Sequence, residues 1–317
     1  MDTRMRILIA YDGSACADAA LNDLQRAGLP REAEAIVISV AEAWLPPPPP
    51  SSYEIVERVF AEHSTADAEK VSERESGALA DALALATEAA KRIQSSFPDW
   101  NLRAEAQFGS PSSQLLATAD EWKPDLIVVG SHGRSAIGRL ILGSVSHKVV
   151  TEARCSVRIA RGQTKKRDSP ARIVVGVDGS PGAAEAARAA AMRAWPAGSE
   201  VRIVAAFDTI TPTMAGSLIP PIVQWSDEQN LAAVEIVRRM VESLEEQFRS
   251  AKLSVSPIVK PGDPKRVLVH EAESWEADCI FVGASGLSRI DRFLLGSVSA
   301  AVAGRAHCSV EVVRAAK

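Results

Sequence analysis

Two stretches of this chain place glycines ahead of a serine-led helix start, in a spacing suited to holding phosphate. The first is GSHGRSAIGRLILGSVS from Gly130 to Ser146, and the second is GASGLSRIDRFLLGSVS from Gly283 to Ser299. Each reads Gly, two residues, Gly, nine residues, Gly-Ser, and they share ten identities over seventeen positions. Unrelated stretches would share about one, given ordinary residue usage. Gly130 and Gly133 remove Cβ atoms where phosphates would approach. Gly143 lets the chain turn, Ser144 is placed to cap the next helix, and the N–H groups of Val145 and Ser146 then point into the same space. The hydroxyls of Ser144 and Ser146 would add two further hydrogen bonds. Gly283, Gly286, Gly296, Ser297, Val298 and Ser299 form the second set. The plainer alternative is a glycine-rich turn before a capped helix, with no ligand.

Asp12 and Asp178 each stand in an Asp-Gly-Ser triplet after an apolar strand. A carboxylate there borders the crevice where doubly wound sheets take their ligands, and it can accept hydrogen bonds from a ribose or an adenine edge. Helix capping is the alternative for Asp and for the serine beside it. Arg134, Arg139 and Lys148 are candidates to neutralise phosphate charge, with surface solvation as the alternative. His132 lies in the first loop where the second copy has Ser285, and reads best as an exposed loop histidine. His147 and His307 occupy non-matching positions and form no pair with metal-ligand spacing, so no metal site is expected. The chain contains no GxxxxGK[ST], no GxGxxG after its first strand and no GxSxG. This argues against P-loop, dinucleotide-binding and nucleophile-elbow enzymes. No Ser, His and carboxylate can be matched in both copies, so covalent catalysis has no support.

The elements that must position these residues are duplicated as well. RILIAYDGS at 6–14 returns as RIVVGVDGS at 172–180, KPDLIVVG at 123–130 as EADCIFVG at 276–283, and CSVRIAR at 155–161 as CSVEVVR at 308–314. Strands are predicted near 6–11, 35–40, 102–107, 125–129 and 156–160, then 172–177, 200–206, 253–259, 278–282 and 309–313. Helices are predicted near 14–27, 70–96, 111–121 and 144–153. Alternating strands and helices, with nearly all-apolar first and fourth strands, imply an α/β fold with a parallel sheet covered on both faces. The polar run 163–170 is the expected linker between halves 1–162 and 171–317. Pro46–Pro50 and the irregular stretch 209–225 read either as flaps beside the sites or as solvent-exposed insertions.

With 46% hydrophobic and 24% charged residues, the 317-residue chain has the composition of a globular protein. Its formal net charge of −4 argues against general nucleic-acid binding. No apolar run reaches the length of a membrane span, and no secretory leader is recognisable, so a cytoplasmic protein is expected. The four cysteines, Cys16, Cys155, Cys279 and Cys308, lack metal-site spacing and read as buried free thiols.

These residues and motifs together resemble the universal stress protein family in its tandem, two-domain, ATP-binding form. The resemblance implies, in each half, a five-stranded parallel sheet ordered 3-2-1-4-5, with ATP between the first and fourth strands. It places Asp12 on the adenosine part, Val40 in the adenine slot, and Gly130, Gly133, Gly143, Ser144, Val145 and Ser146 around ribose and phosphates. Asp178, Ala206, Gly283, Gly286, Gly296, Ser297, Val298 and Ser299 are the second set. ATP is not separated here from ADP or AMP, and whether Mg²⁺ accompanies it stays open. In the second copy Leu287 replaces Arg134, Asp291 replaces Gly138 and Ala206 replaces Val40. A carboxylate near a triphosphate is repulsive by about 1 kcal/mol at contact distance in water, so the first site is expected to be the tighter. The leading function is a nucleotide-dependent stress-response or signalling module. The alternatives are a slow ATPase or adenylate-using enzyme, and an assembly protein with vestigial sites. In that last reading the fifth strands SVRIA and SVEVV pair across halves or across the chains of a homodimer.

Overall fold

The computed structural model describes residues 4–42, 65–133, 142–162, 169–207, 231, 234, 235, 238, 242–249, 251–286 and 295–315, with backbone alone for 65–73 and 207. Pro46–Pro50, 209–225, residues 163–168 of the linker, Arg134, Gly138, Arg139, Leu287 and Asp291 lie outside these.

The first half runs β1 (Met5–Ala10), α1 (Ala15–Leu24), β2 (Ala33–Ala41), α2 (Thr65–Ser96), β3 (Asn101–Phe108), α3 (Pro111–Trp122), β4 (Leu126–Gly130), α4 (Ser144–Glu152) and β5 (Ser156–Ala160). The second runs β6 (Arg172–Val177), α5 (Pro181–Ala191), β7 (Glu200–Phe207), β8 (Ser254–Pro261), α6 (Pro264–Ser274), β9 (Cys279–Gly283), α7 (Ser297–Arg305) and β10 (Ser309–Val313). Residues 242–249 are also helical. The apolar runs form central strands because both their faces are covered. Ile7, Leu8 and Ile9 of β1, and Leu126, Ile127 and Val128 of β4, have no solvent exposure.

All ten strands join one sheet in the order β3-β2-β1-β4-β5-β10-β9-β6-β7-β8. Each half therefore has the expected 3-2-1-4-5 order, and all pairings within a half are parallel. The halves meet at β5 and β10, which pair antiparallel within the chain. The carboxyl ends of the two sets of strands consequently face opposite edges of the sheet.

Side chains alternate across a strand, and this makes the two faces of the seam unlike. Val157, Ile159, Val310 and Val312 point to one face, where a single hydrophobic cluster spans both halves. On the other face each half keeps a core of its own. Between those cores Arg158 stands opposite Glu311 in the ladder. Arg158 donates from Nε and Nη2 to Asp23 of α1, at 2.6 and 3.1 Å, and from Nη1 to Glu311 at 3.3 Å. Glu311 also accepts from Arg193, and Asp23 accepts from the Ser309 hydroxyl at 2.6 Å. Arg26, in the turn after α1, reaches Asp278 of the other half at 3.1 Å. Burial alone would push the Arg158 guanidinium down from its ordinary value; the Asp23 and Glu311 carboxylates overcome this and raise it.

Removing one partner of a buried ion pair leaves the other charge desolvated and uncompensated. Asp23→Ala is expected to lower the unfolding free energy by about 3–5 kcal/mol. Arg4→Ala, whose partner Glu32 is exposed, is expected to change it by less than about 1 kcal/mol. Urea denaturation compares them, and similar losses from both would contradict this account of the seam.

Candidate functional site

Asp12 and Asp178 lie just past β1 and β6. The glycines that follow them, Gly13 and Gly179, have φ of 75° and 81°, which a side chain would oppose. The turn lets the aspartate reach forward: the Ser14 N–H donates to Asp12 Oδ1 and the Ser180 N–H to Asp178 Oδ1, each at 3.0 Å. Capping falls to the serines, since Ser14 Oγ accepts from the Ala17 N–H and Ser180 Oγ from the Ala183 N–H, both at 3.1 Å. The other aspartate oxygens face the glycine loops. A Cβ built on Gly133 would lie 3.2 Å from Asp12 Oδ2, and one on Gly286 would lie 2.6 Å from Asp178 Oδ2.

The loops close through backbone bonds. The Gly143 N–H donates to Ser131 O at 2.9 Å, and the Gly296 N–H to Ala284 O at 2.6 Å. Gly143 and Gly296 are themselves the N-caps of α4 and α7, and neither helix start has a side-chain cap. The cap expected at Ser144 thus sits one residue earlier, because Ser144 already has helical geometry. The His147 N–H is bonded to Gly143 O, so the amides of Ser144, Val145 and Ser146 precede the first intrahelical bond, as at any helix start.

Two further expectations are corrected. The Ser146 hydroxyl is not held ready for a ligand: it donates to Gly130 O at 2.6 Å, and Ser299 donates likewise to Gly283 O at 2.5 Å. These bonds pin each helix start to the end of β4 or β9. The missing side chain at Gly130 makes room for protein rather than phosphate. A Cβ there would meet Cys16 O of α1 at 2.9 Å, and one at Gly283 would meet the Gly182 carbonyl carbon at 2.5 Å.

A cavity of about 760 Å³ gathers Asp12, Val40, Gly130, Gly133, Gly143, Ser144, Val145 and Ser146 on one wall or another. One of about 360 Å³ gathers Asp178, Ala206, Gly283, Gly286, Gly296, Ser297, Val298 and Ser299. Both volumes, as bounded by the described residues, fall in the range usual for small-molecule sites. Sequence reasoning missed one wall of the first cavity: Ala78, Asp81, Ala82 and Leu85 of α2. Their three- and four-residue spacing puts them on one helix face, but it carries no sign of which cavity that face borders. It also missed Ile38 and Leu115, and Leu268 in the second cavity. His132 is partly buried on the wall of the first cavity rather than exposed. Its Nδ1 is 3.1 Å from the Ser131 hydroxyl, and its buried Nε2 has no hydrogen-bond partner among the described residues.

All four cysteines are free, with Cys279 and Cys308 buried and Cys16 and Cys155 partly so. Burial pushes the Cys155 and Cys308 thiols up to about 12, and it raises Cys279 as well. These three are poor nucleophiles at neutral pH. Among the described residues no group of three or more His, Cys, Asp or Glu is arranged to hold a metal, and no helix is long and apolar enough to cross a membrane.

The profile of the universal stress protein family matches residues 3–161 and again 171–314. A universal stress protein of Mycobacterium tuberculosis is 27% identical over 314 residues, covering 97% of this chain and 96% of the relative. One from Mycolicibacterium smegmatis is 32% identical over 192 residues, covering 60% of this chain and 61% of its own. The crystal structure of a universal stress protein from Archaeoglobus fulgidus superposes with a TM-score of 0.59 at 19% identity, covering 98% of both chains.

The glycines separate by role in a stability test. Gly130→Ala and Gly283→Ala press a methyl into backbone and are expected to lower stability by about 1–3 kcal/mol, the usual cost of overpacking. Among the described residues, a methyl at Gly133→Ala meets only the Asp12 carboxylate within 4 Å, and this variant is expected to unfold at nearly the wild-type denaturant midpoint. A Gly133→Ala loss matching that of Gly130→Ala would show that the loop glycine too is structural.

Proposed function

Because the chain belongs to the universal stress protein family, we propose that each half binds an adenine nucleotide, ATP first, and that occupancy makes the protein a nucleotide-dependent stress-response or signalling module. The observation that carries this reading is one cavity with two kinds of end, built twice. At one end lies a helix start whose first three amides have no intrahelical partner, a natural seat for phosphate. Asp12 or Asp178 stands across the glycine loop from it, able to accept hydrogen bonds from a ribose or adenine edge. The apolar residues Ile38 and Val40 in the first cavity, and Val204 and Ala206 in the second, supply a slot for a flat base.

The chemistry on offer is binding. Among the described residues the phosphate end offers main-chain amides with the Ser144 or Ser297 hydroxyl beside them, and a serine amide donates to one oxygen of each aspartate. A Mg²⁺ ion would enter with the triphosphate and be held largely by its oxygens. Nucleotide then acts as a signal to the extent that it prefers one conformation of the chain over another. The first site, which keeps Val40 where the second has Ala206 and lacks the carboxylate that Asp291 brings to the second loop, is the tighter one in this reading.

Titration calorimetry with ATP is expected to resolve a tighter and a weaker event. Asp12→Ala should weaken the tighter one by roughly tenfold or more, the value of a hydrogen bond to a charged group, and Asp178→Ala should act on the weaker. No heat and no bound nucleotide in freshly purified protein would leave the assembly reading. Steady phosphate release lost in Asp12→Ala would move the function to an ATPase.

A further inference from the structure

The two arginines that follow the seam strands repeat one contact in both directions. Arg161, just after β5, donates from Nη2 to Ala303 O at 2.6 Å and from Nη1 to Cys308 O at 3.3 Å. Arg314, just after β10, donates from Nη2 to Val150 O at 2.7 Å and from Nη1 to Cys155 O at 3.4 Å. Ala303 lies in the last turn of α7 and Val150 in the last turn of α4. Each arginine therefore binds the carboxyl end of a helix in the opposite half. The serines that open the seam strands hold each arginine in place: the Arg161 N–H donates to Ser309 Oγ at 2.9 Å, and the Arg314 N–H to Ser156 Oγ at 3.1 Å. Both arginines are buried, at 9% and 8% exposure.

The helices they hold are the two whose amino ends line the cavities. In each, the last turn leaves carbonyls that the helix itself cannot satisfy, and a guanidinium there complements both the orphan acceptors and the helix dipole. The other end is pinned by the serine bond to β4 or β9. A nine-residue helix is about 13 Å long and moves as a rod, so freeing its carboxyl end shifts the amides at its amino end. We propose that Arg314 is a positioning residue for the first cavity and Arg161 for the second, so that each nucleotide site is partly built by the opposite half. This rests on the nucleotide reading above, while the positioning itself is a property of the helices.

The test uses the full chain as wild type, Arg314→Gln and Arg161→Gln, with two readouts. Hydrogen exchange is followed over 144–152 and 297–305. ATP affinity is measured in an Asp178→Ala background for the first cavity and an Asp12→Ala background for the second. Arg314→Gln is expected to speed exchange over 144–152 and to weaken ATP at the first cavity, each by about fivefold or more, the scale of ordinary coupling between sites. The second cavity and 297–305 should stay within about twofold. Arg161→Gln should give the mirror image. Lysine in place of either arginine should restore part of the effect, since it keeps the charge but not the two-pronged donor. If a glutamine variant loses its cooperative unfolding transition, the lysine variant is read against the same crossed pattern. Effects confined to the mutated residue's own half, equal in both halves, or absent would overturn the proposal. If wild type binds no ATP, the nucleotide reading fails by itself, and crossed or uncrossed exchange still decides the positioning.

Discussion

The structure depends on how β5 meets β10. Left unpaired, each would be an exposed edge with open backbone groups at the centre of the molecule. Joined, they make ten strands into one sheet, and the alternation of side chains gives the junction two different faces. The apolar face merges the halves into one core. The other face takes charges out of water, which costs several kcal/mol per ion unless each is fully partnered. Arg158 has two carboxylates, Glu311 has two guanidiniums, and Asp23 adds the Ser309 hydroxyl. Arginine faces glutamate at this seam, so the two strands fit each other better than either would fit its own copy.

The same strands carry order outward to the cavities. β1 and β4 deliver the aspartate and the glycine loop to one sheet edge, and the close approach of α1 to Gly130 fixes how far apart they stand. The helix after each loop is held at one end by its own strand and at the other by the opposite half. The pseudo-symmetry is incomplete where it touches the cavities: Val40 corresponds to Ala206 and His132 to Ser285.

Much of this was legible in the sequence because duplication supplied an internal control. The parallel α/β organisation, the two aspartates and the two glycine loops follow from motifs that occur twice, whereas the strand order and the pairing of the fifth strands are what the family resemblance implies. What the sequence hid was the partner of each group. Gly130 and Ser146 look like ligand residues beside a phosphate loop, yet the first yields space to Cys16 and the second bonds to Gly130 O. Arg161 and Arg314 close the repeated CSVRIAR and CSVEVVR runs, and the antiparallel seam puts each against a helix of the opposite half. Asp23 and Arg26 have no charged counterparts in the second half, where Ala189 and Met192 stand, so repetition gave no hint of their role. The α2 wall was hidden because a helix pattern states which face is apolar but not which cavity it borders.

The antiparallel junction also sets the direction from which anything outside can sense the two mouths. Since the strands of one half run against those of the other, the cavities open on contrary margins of a slab ten strands wide. A single small protein docking on one margin can inspect only one of them. Touching both at once requires two visitors or an embrace around the whole slab.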